Sequence, residues 1–173
     1  MSEQKGQSGR NEPKADRPHM PGYGILAADE GSGLLPWSWA TERLEGARNY
    51  WLSTTRPDGR PHAMPVWGVW LDDRLWFSTG KESRKARNIA ANPNCVVCSD
   101  FGDEAVIIEG VVESITDPVL YRQFAEAYEA KYQWDMEGFA EPLYAVRPAT
   151  TFAFISRTSE FTGSATRWRF DKE

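Results

Sequence analysis

The sequence is poor in sulfur and in imidazole, with two cysteines and two histidines in 173 residues. His19 and His62 are too few for a histidine-rich metal centre, and zinc would need ligands beyond Cys95 and Cys98. The cysteines form Cys95-Val96-Val97-Cys98 within Asn94–Asp100, which reads as a strand. A redox pair of this spacing works from a helix start, where the dipole lowers a thiol pKa, whereas on a strand the two side chains point to opposite faces. Both are therefore expected to be structural thiols. Long apolar runs are missing too: nothing approaches the roughly 18 consecutive apolar residues of a membrane helix, and Met1–Arg17 has no signal-peptide core. A cytoplasmic, soluble protein with no membrane partner is expected. A basic excess is also lacking, since 20 Lys and Arg stand against 25 Asp and Glu for a net charge of −5. That balance argues against a general nucleic-acid binder, which needs a broad cationic surface. Finally, there is no Gly-x-Ser-x-Gly elbow, no P-loop and no Gly-x-Gly-x-x-Gly after a strand. With no nucleophile-and-base constellation in view, chemistry supplied by a cofactor fits better than hydrolysis.

What the chain does have is aromatic bulk: eight Trp, eight Phe and six Tyr. Most serve a core, and some are suited to line a planar ligand. Residues 1–35 are rich in Gly, Pro and charge and are expected to form a flexible extension, leaving 36–173 as one domain. Ser38 can cap a helix from Trp39 to about Ala47. Strands follow at Asn49–Thr55 and Pro61–Leu71, joined by the turn Arg56-Pro57-Asp58-Gly59-Arg60, and a third covers Arg74–Ser78. Pro65 cannot donate to a ladder, so it marks a bulge or an edge. His62 has no visible partner and reads as a turn residue. Glu82–Asn92 is helical, with Ser83 as a possible cap and Pro93 as its stop. Two further strands cover Asn94–Asp100 and Ala105–Ile115, the second bulged at Gly110. Asp117-Pro118 begins a helix of Val119 to about Tyr132, a sixth strand covers Thr150–Ser156, and short ones are expected at Glu160–Phe161 and Thr166–Phe170. Six strands with short turns predict a mainly β fold, a closed or nearly closed antiparallel barrel with flanking helices.

The segment that bears on chemistry is Ser78-Thr79-Gly80-Lys81-Glu82-Ser83-Arg84-Lys85-Ala86-Arg87-Asn88. Two hydroxyls and a glycine end a strand, and cations crowd the start of the next helix. Cations are unfavourable there by a few tenths of a kcal/mol each, because the helix dipole is positive at that end. A bound phosphate would reverse the balance, with N–H groups, hydroxyls and cations all directed at it. A solvated basic face is the alternative reading of the same pattern.

These residues, in this order, resemble a known family. The hairpin Tyr50–His62, then Met64-Pro65-Val66-Trp67, Leu75–Gly80, Ser83-Arg84-Lys85-Ala86-Arg87-Asn88 and Asn92-Pro93 are similar to the pyridoxamine 5′-phosphate oxidase-like family, and Phe161–Phe170 resembles one branch of it. The resemblance implies a six-stranded antiparallel split β-barrel of the FMN-binding type, and a homodimer with two cofactor sites at the interface. It implies an oxidoreductase that uses FMN or, as the alternative, 8-hydroxy-5-deazaflavin, on a small-molecule substrate. A non-catalytic carrier or sensor of the same ligand is the rival. The resemblance puts the phosphate on Lys85 with Ser78, Thr79, Ser83, Arg84 and Asn88, and the ring along Met64, Pro65, Val66 and Trp67. Trp168 and Arg169 of the C-terminal strand would close the partner's site, and Lys81 and Arg87 would serve the acidic tail of a deazaflavin. True vitamin B6 oxidases carry a basic series on the second strand and an Arg-Leu-x-Pro-type ending. Neither is present here, so pyridoxamine phosphate is not the expected substrate.

Overall fold

The computed structural model describes residues 12–99 and 102–171. Residues 1–11 of the expected extension, and Asp100 at the end of an expected strand, lie outside the described residues. The described elements run β1 (Lys14–Asp16), α1 (Trp37–Gly46), β2 (Tyr50–Thr55), β3 (Pro61–Val66), β4 (Gly68–Leu71), β5 (Arg74–Ser78), α2 (Arg84–Ala91), β6 (Asn94–Ser99), β7 (Glu104–Ile115), α3 (Pro118–Tyr132), β8 (Leu143–Ile155), α4 (Phe161–Ser164) and β9 (Thr166–Arg169).

All strand pairs are antiparallel: β2 pairs with β3 and β6, β6 with β7, β7 with β8, and β8 with β5 and β9. β4 pairs with β5. The ring β2–β3–β4–β5–β8–β7–β6 therefore closes through the covalent link at Trp67 and not through a ladder. That makes the barrel split, and it corrects the expectation of one strand over Pro61–Leu71. β4 starts at Gly68, where a side chain would not fit, because a Cβ there would lie 2.7 Å from the Trp76 carbonyl oxygen. The expected bulge is present, with the β7–β8 register shifting between Glu109 and Gly110. A Cβ on Gly110 would lie 2.6 Å from the Arg147 carbonyl oxygen. β8 begins at Leu143, well before the expected Thr150. Pro148 reads as a breaker in sequence, yet it lies opposite Gly110 at the bulge, where a missing N–H is tolerated.

Alternation along the strands sends Tyr50, Leu52, Val97, Val106, Ile108 and Val146 inward, where they pack with Trp37, Leu44, Trp70 and Phe77. α3 covers a second cluster of Val69, Trp76, Phe124, Tyr132 and Leu143. Its start is as expected: Asp117 accepts the Val119 N–H at 2.7 Å, and Pro118 takes the first turn. α1 differs. It begins at Trp37 after Pro36, with no side-chain cap, so Ser38 lies inside the helix. Glu160–Phe161 is not a strand; Phe161 starts the one-turn α4.

Part of the expected extension is tied down. β1 pairs with β9, and the Arg17 guanidinium donates to the carbonyls of Gly163 at 2.9 Å and Ala165 at 2.8 Å. The Leu35 N–H donates to Thr166 Oγ1 at 2.9 Å. Among the described residues, no helix is long and apolar enough to cross a membrane.

Candidate functional site

α2 begins as the sequence predicts. Ser83 Oγ accepts the Ala86 N–H at 3.1 Å and shares a hydrogen bond of 3.2 Å with Thr79 Oγ1. Two members of the predicted clasp are held elsewhere. Ser78 Oγ donates to the Pro142 carbonyl at 2.7 Å, and the Lys81 N–H donates to Glu141 Oε2 at 2.9 Å. The 141–142 loop thus braces the outer side of the turn, and Ser78 is turned toward it.

On the other side, Arg84, Lys85 and Asn88 share one helical face by their i, i+3 and i, i+4 spacing. Asn88 is fully buried and donates through Nδ2 to Thr54 Oγ1 at 2.9 Å, which fastens α2 to the β2–β3 hairpin. Thr54 lies across from His62, and Arg56, just past the end of β2, acts on His62 through its charge. The helix face and the hairpin therefore meet at Arg56, His62, Arg84 and Lys85. His62 belongs to β3 and not to a turn. Its pKa is lowered by burial and then by the neighbouring charges of Arg56, Lys85 and Arg84.

Sorting the cations of this region by partner is informative. Arg60 pairs with Asp58 at 2.7 Å and Arg87 with Glu82 at 3.2 Å. Arg56, Arg84 and Lys85 form no ion pair among the described residues. Arg56 Nε, His62 Nδ1 and Asn88 Oδ1 are buried polar atoms without a hydrogen-bond partner. Buried polar atoms are nearly always bonded, so three in one place mark a group that a ligand or water completes. Sequence reasoning missed Arg56 and His62. Their i, i+2 and cross-strand relation to Thr54 was legible, but not that α2 docks against Thr54.

The strand expected beside a planar ring has a free edge, as Pro65 suggested: among the described residues β3 pairs only with β2. Met64 is 45% exposed and Trp67 37%, while Val66 turns into the core. Trp67 lies parallel to Tyr132, with ring centroids 4.8 Å apart. Tyr132 Oη accepts the Gly68 N–H at 2.9 Å, and Lys131 Nζ donates to the Gly68 carbonyl and to Tyr50 Oη, each at 3.0 Å. Burial lowers the Lys131 pKa to about 8. The end of α3 thus fixes the kink, a role that nothing in the sequence signalled.

The structure separates the two C-terminal candidates from this cluster. Trp168 is 1% exposed and packs edge-on against Trp37 at 5.3 Å, inside the core of its own chain. Arg169 lies on the outer face of the sheet and is bound to Asp16 at 2.6 Å. Alternation on β9 explains both, since successive side chains point to opposite faces. The cysteines behave as expected: both are free, Cys95 pairs across to Gly110 and Cys98 to Ile107, and burial raises the Cys95 pKa to about 12. No cluster suited to a metal ion occurs among the described residues.

Comparison with solved structures supports the fold. A conserved hypothetical protein of Mycobacterium tuberculosis is similar at a TM-score of 0.65 and 20% identity, over 71% of this chain and 86% of that one. An F420 reductase is 26% identical at a TM-score of 0.53, over 64% and 93%. HutZ, the heme storage protein of Vibrio cholerae, is 16% identical at a TM-score of 0.56, over 64% and 88%. No curated protein matches the chain. Residues 40–160, well over half of the sequence, match the family described as pyridoxamine 5′-phosphate oxidase. With its barrel split at Trp67 and the ordered run from the β2–β3 hairpin to α2, the chain belongs to the pyridoxamine 5′-phosphate oxidase-like family, a flavin-binding split-barrel fold.

Proposed function

We propose that the protein is an oxidoreductase that moves hydride between a bound flavin-type cofactor and a small organic substrate, working as a homodimer in the cytoplasm. The observation that carries this reading is the set of cations without carboxylate partners, Arg56, Arg84 and Lys85, next to the free edge of β3. The cations and the Thr79 and Ser83 hydroxyls suit a phosphate, and the unpaired backbone of β3 beside Met64 and Trp67 suits a flat heterocycle. Such a cofactor supplies the hydride chemistry, while the chain's residues anchor, orient and exclude water. FMN is the first choice. The second is an 8-hydroxy-5-deazaflavin, the class to which F420 belongs; the F420 reductase neighbour supports it. Against it, Arg87 is already paired with Glu82, which leaves less positive charge for an acidic tail. β3 carries no Lys or Arg, so pyridoxamine phosphate is not the proposed substrate.

The dimer is supported by the outer sheet face. Pro65, Trp51, Cys98, Ile107 and Phe152 form a cross-strand row that the chain's own helices leave uncovered, and Trp51 is 44% exposed. A row of this kind matches the apolar centre of a subunit interface. Light scattering should give twice the chain mass, and Trp51→Glu should give the monomer.

The absorption spectrum and ligand mass of the purified protein test the cofactor directly. FMN gives a flavin spectrum, while a deazaflavin absorbs at shorter wavelength. A haem band, or no uptake of either flavin on titration, would refute the reading. A non-catalytic carrier is the second reading, favoured by the absence of any carboxylate acting on His62 among the described residues. The fold also serves a storage protein, HutZ. Reduced cofactor on the protein, offered a panel of acceptors, separates the two. Turnover no faster than that of free cofactor would establish the carrier.

A further inference from the structure

The two walls of the anion site differ in chemistry. α2 supplies two cations, Arg84 and Lys85, and the hairpin supplies a third, Arg56, beside an imidazole, His62. Both hairpin residues hold a buried nitrogen without a partner, Arg56 Nε and His62 Nδ1. Thr54 joins the walls: it receives Asn88 Nδ2 from α2 and lies across from His62 in the ladder. The charged groups acting on His62 are Arg56 on its own hairpin and Arg84 and Lys85 on the helix packed against it. No carboxylate offsets them there, because Asp58 is bound to Arg60 and Glu82 to Arg87.

We propose that Arg56 and His62 are ligands of the bound phosphate, and that His62 takes up a proton from solvent when a phosphomonoester dianion enters, so that affinity depends on pH. This rests on the phosphate-site reading above and deepens it. In the ligand-free protein burial and three nearby cations disfavour the charged imidazolium. A dianion between the walls reverses the sign of the local field and supplies the acceptor that His62 Nδ1 lacks. The charge count also selects the ligand. A terminal monoester phosphate carries up to two charges and exposes three oxygens, enough for four donors from two walls. A phosphodiester, with one charge and two free oxygens, leaves part of the site unanswered. The site is therefore built for a terminal phosphomonoester.

Sulfate is the useful probe, because it stays a dianion across the range in which His62 titrates. Its affinity should fall about tenfold between about pH 5.5 and pH 8, corresponding to a rise of about one pKa unit in His62 on binding. Calorimetry in buffers of different ionisation enthalpy should show net proton uptake near pH 7. The chain has only two histidines, so NMR titration reads them separately. Sulfate should raise the pKa of His62. His62→Gln should bind sulfate with less than about a twofold change over the same range, and Arg56→Met should raise the His62 pKa of the free protein. A wild-type affinity independent of pH, an unchanged slope in His62→Gln, or no sulfate binding would each overturn the proposal. Failure of the oxidoreductase reading looks different: sulfate would bind with proton uptake, yet the protein would take no flavin.

Discussion

Two groups of basic residues look alike in the sequence and behave differently in the fold. Arg167-Trp168-Arg169 at the C-terminal seam and Arg84-Lys85-Ala86-Arg87 at α2 are both short cationic runs that directly follow a hydroxyl residue, Thr166 or Ser83. At the seam, the three arginines all have partners. Arg167 and Arg169 bind the two oxygens of Asp16 at 2.7 and 2.6 Å, and Arg17 donates to carbonyls of the 163–165 turn. At α2, Arg84 and Lys85 meet Arg56 and His62, with no carboxylate among them. The first arrangement fastens chain ends together; the second keeps positive charge available for something that is not part of the chain. A basic run therefore becomes structural or functional according to where its carboxylates go.

Trp168 gives the sharpest test of this division. If it belongs to the seam's architecture, Trp168→Ala should cost about 3–5 kcal/mol in urea unfolding, the usual range for a buried aromatic. A variant that kept its stability but lost cofactor affinity would return Trp168 to the site. Next in size is the comparison of Lys85 with Arg169. Lys85→Ala should weaken cofactor binding about 10- to 100-fold, as expected for one charge-assisted bond of roughly 1.5–3 kcal/mol. Arg169→Ala should change it less than about twofold, and equal losses in an equilibrium titration would erase the distinction.

Asp16→Asn should release β1 for no more than about 1 kcal/mol, since the pair is partly exposed, and should leave cofactor affinity unchanged. The Asp16 pKa is lowered, chiefly by its hydrogen bond to Arg167. The wild-type contribution is therefore present above the ordinary carboxylate pKa, and it is lost as pH falls through the depressed value. Hydrogen exchange at Lys14–Asp16 reads this locally. The smallest effect concerns Lys131, an intermediate case whose ammonium is bonded to a hydroxyl and a carbonyl. Its pKa falls from 10.5 to about 8, so between these values the unfolded chain holds more protons and folding stability rises with pH. Wild type should gain up to about 1 kcal/mol on Lys131→Met between about pH 7.5 and 9.5, a figure kept small by the partial exposure of the amine. A constant difference across that range would remove Lys131 from the buried set.

Much of the fold was legible because local physics dictates it. Pro57 and Gly59 specify the β2–β3 turn, Asp117-Pro118 specifies the start of α3, and Ser83 caps α2. Gly110 marked the bulge, and Pro65 marked an edge strand. The early start of β8 was hidden by Pro148, since a proline looks like a break unless its bulged partner is known. The tight fit at Gly68, where β4 starts, was hidden for the same kind of reason, because it matters only when the Trp76 backbone lies above it.

The sequence alone determined the β2–β3 hairpin, the starts of α2 and α3, the bulge at Gly110 and a cationic helix start, because each follows from residues close together in the chain. The tertiary structure decided which cations remain available, that Arg56 and His62 stand with Arg84 and Lys85, and that Trp168 belongs to the core. Those outcomes depend on how α2 docks on Thr54 and how β1 docks on β9, contacts between residues more than thirty positions apart. Local propensity does not encode such contacts; packing and charge pairing across the fold set them.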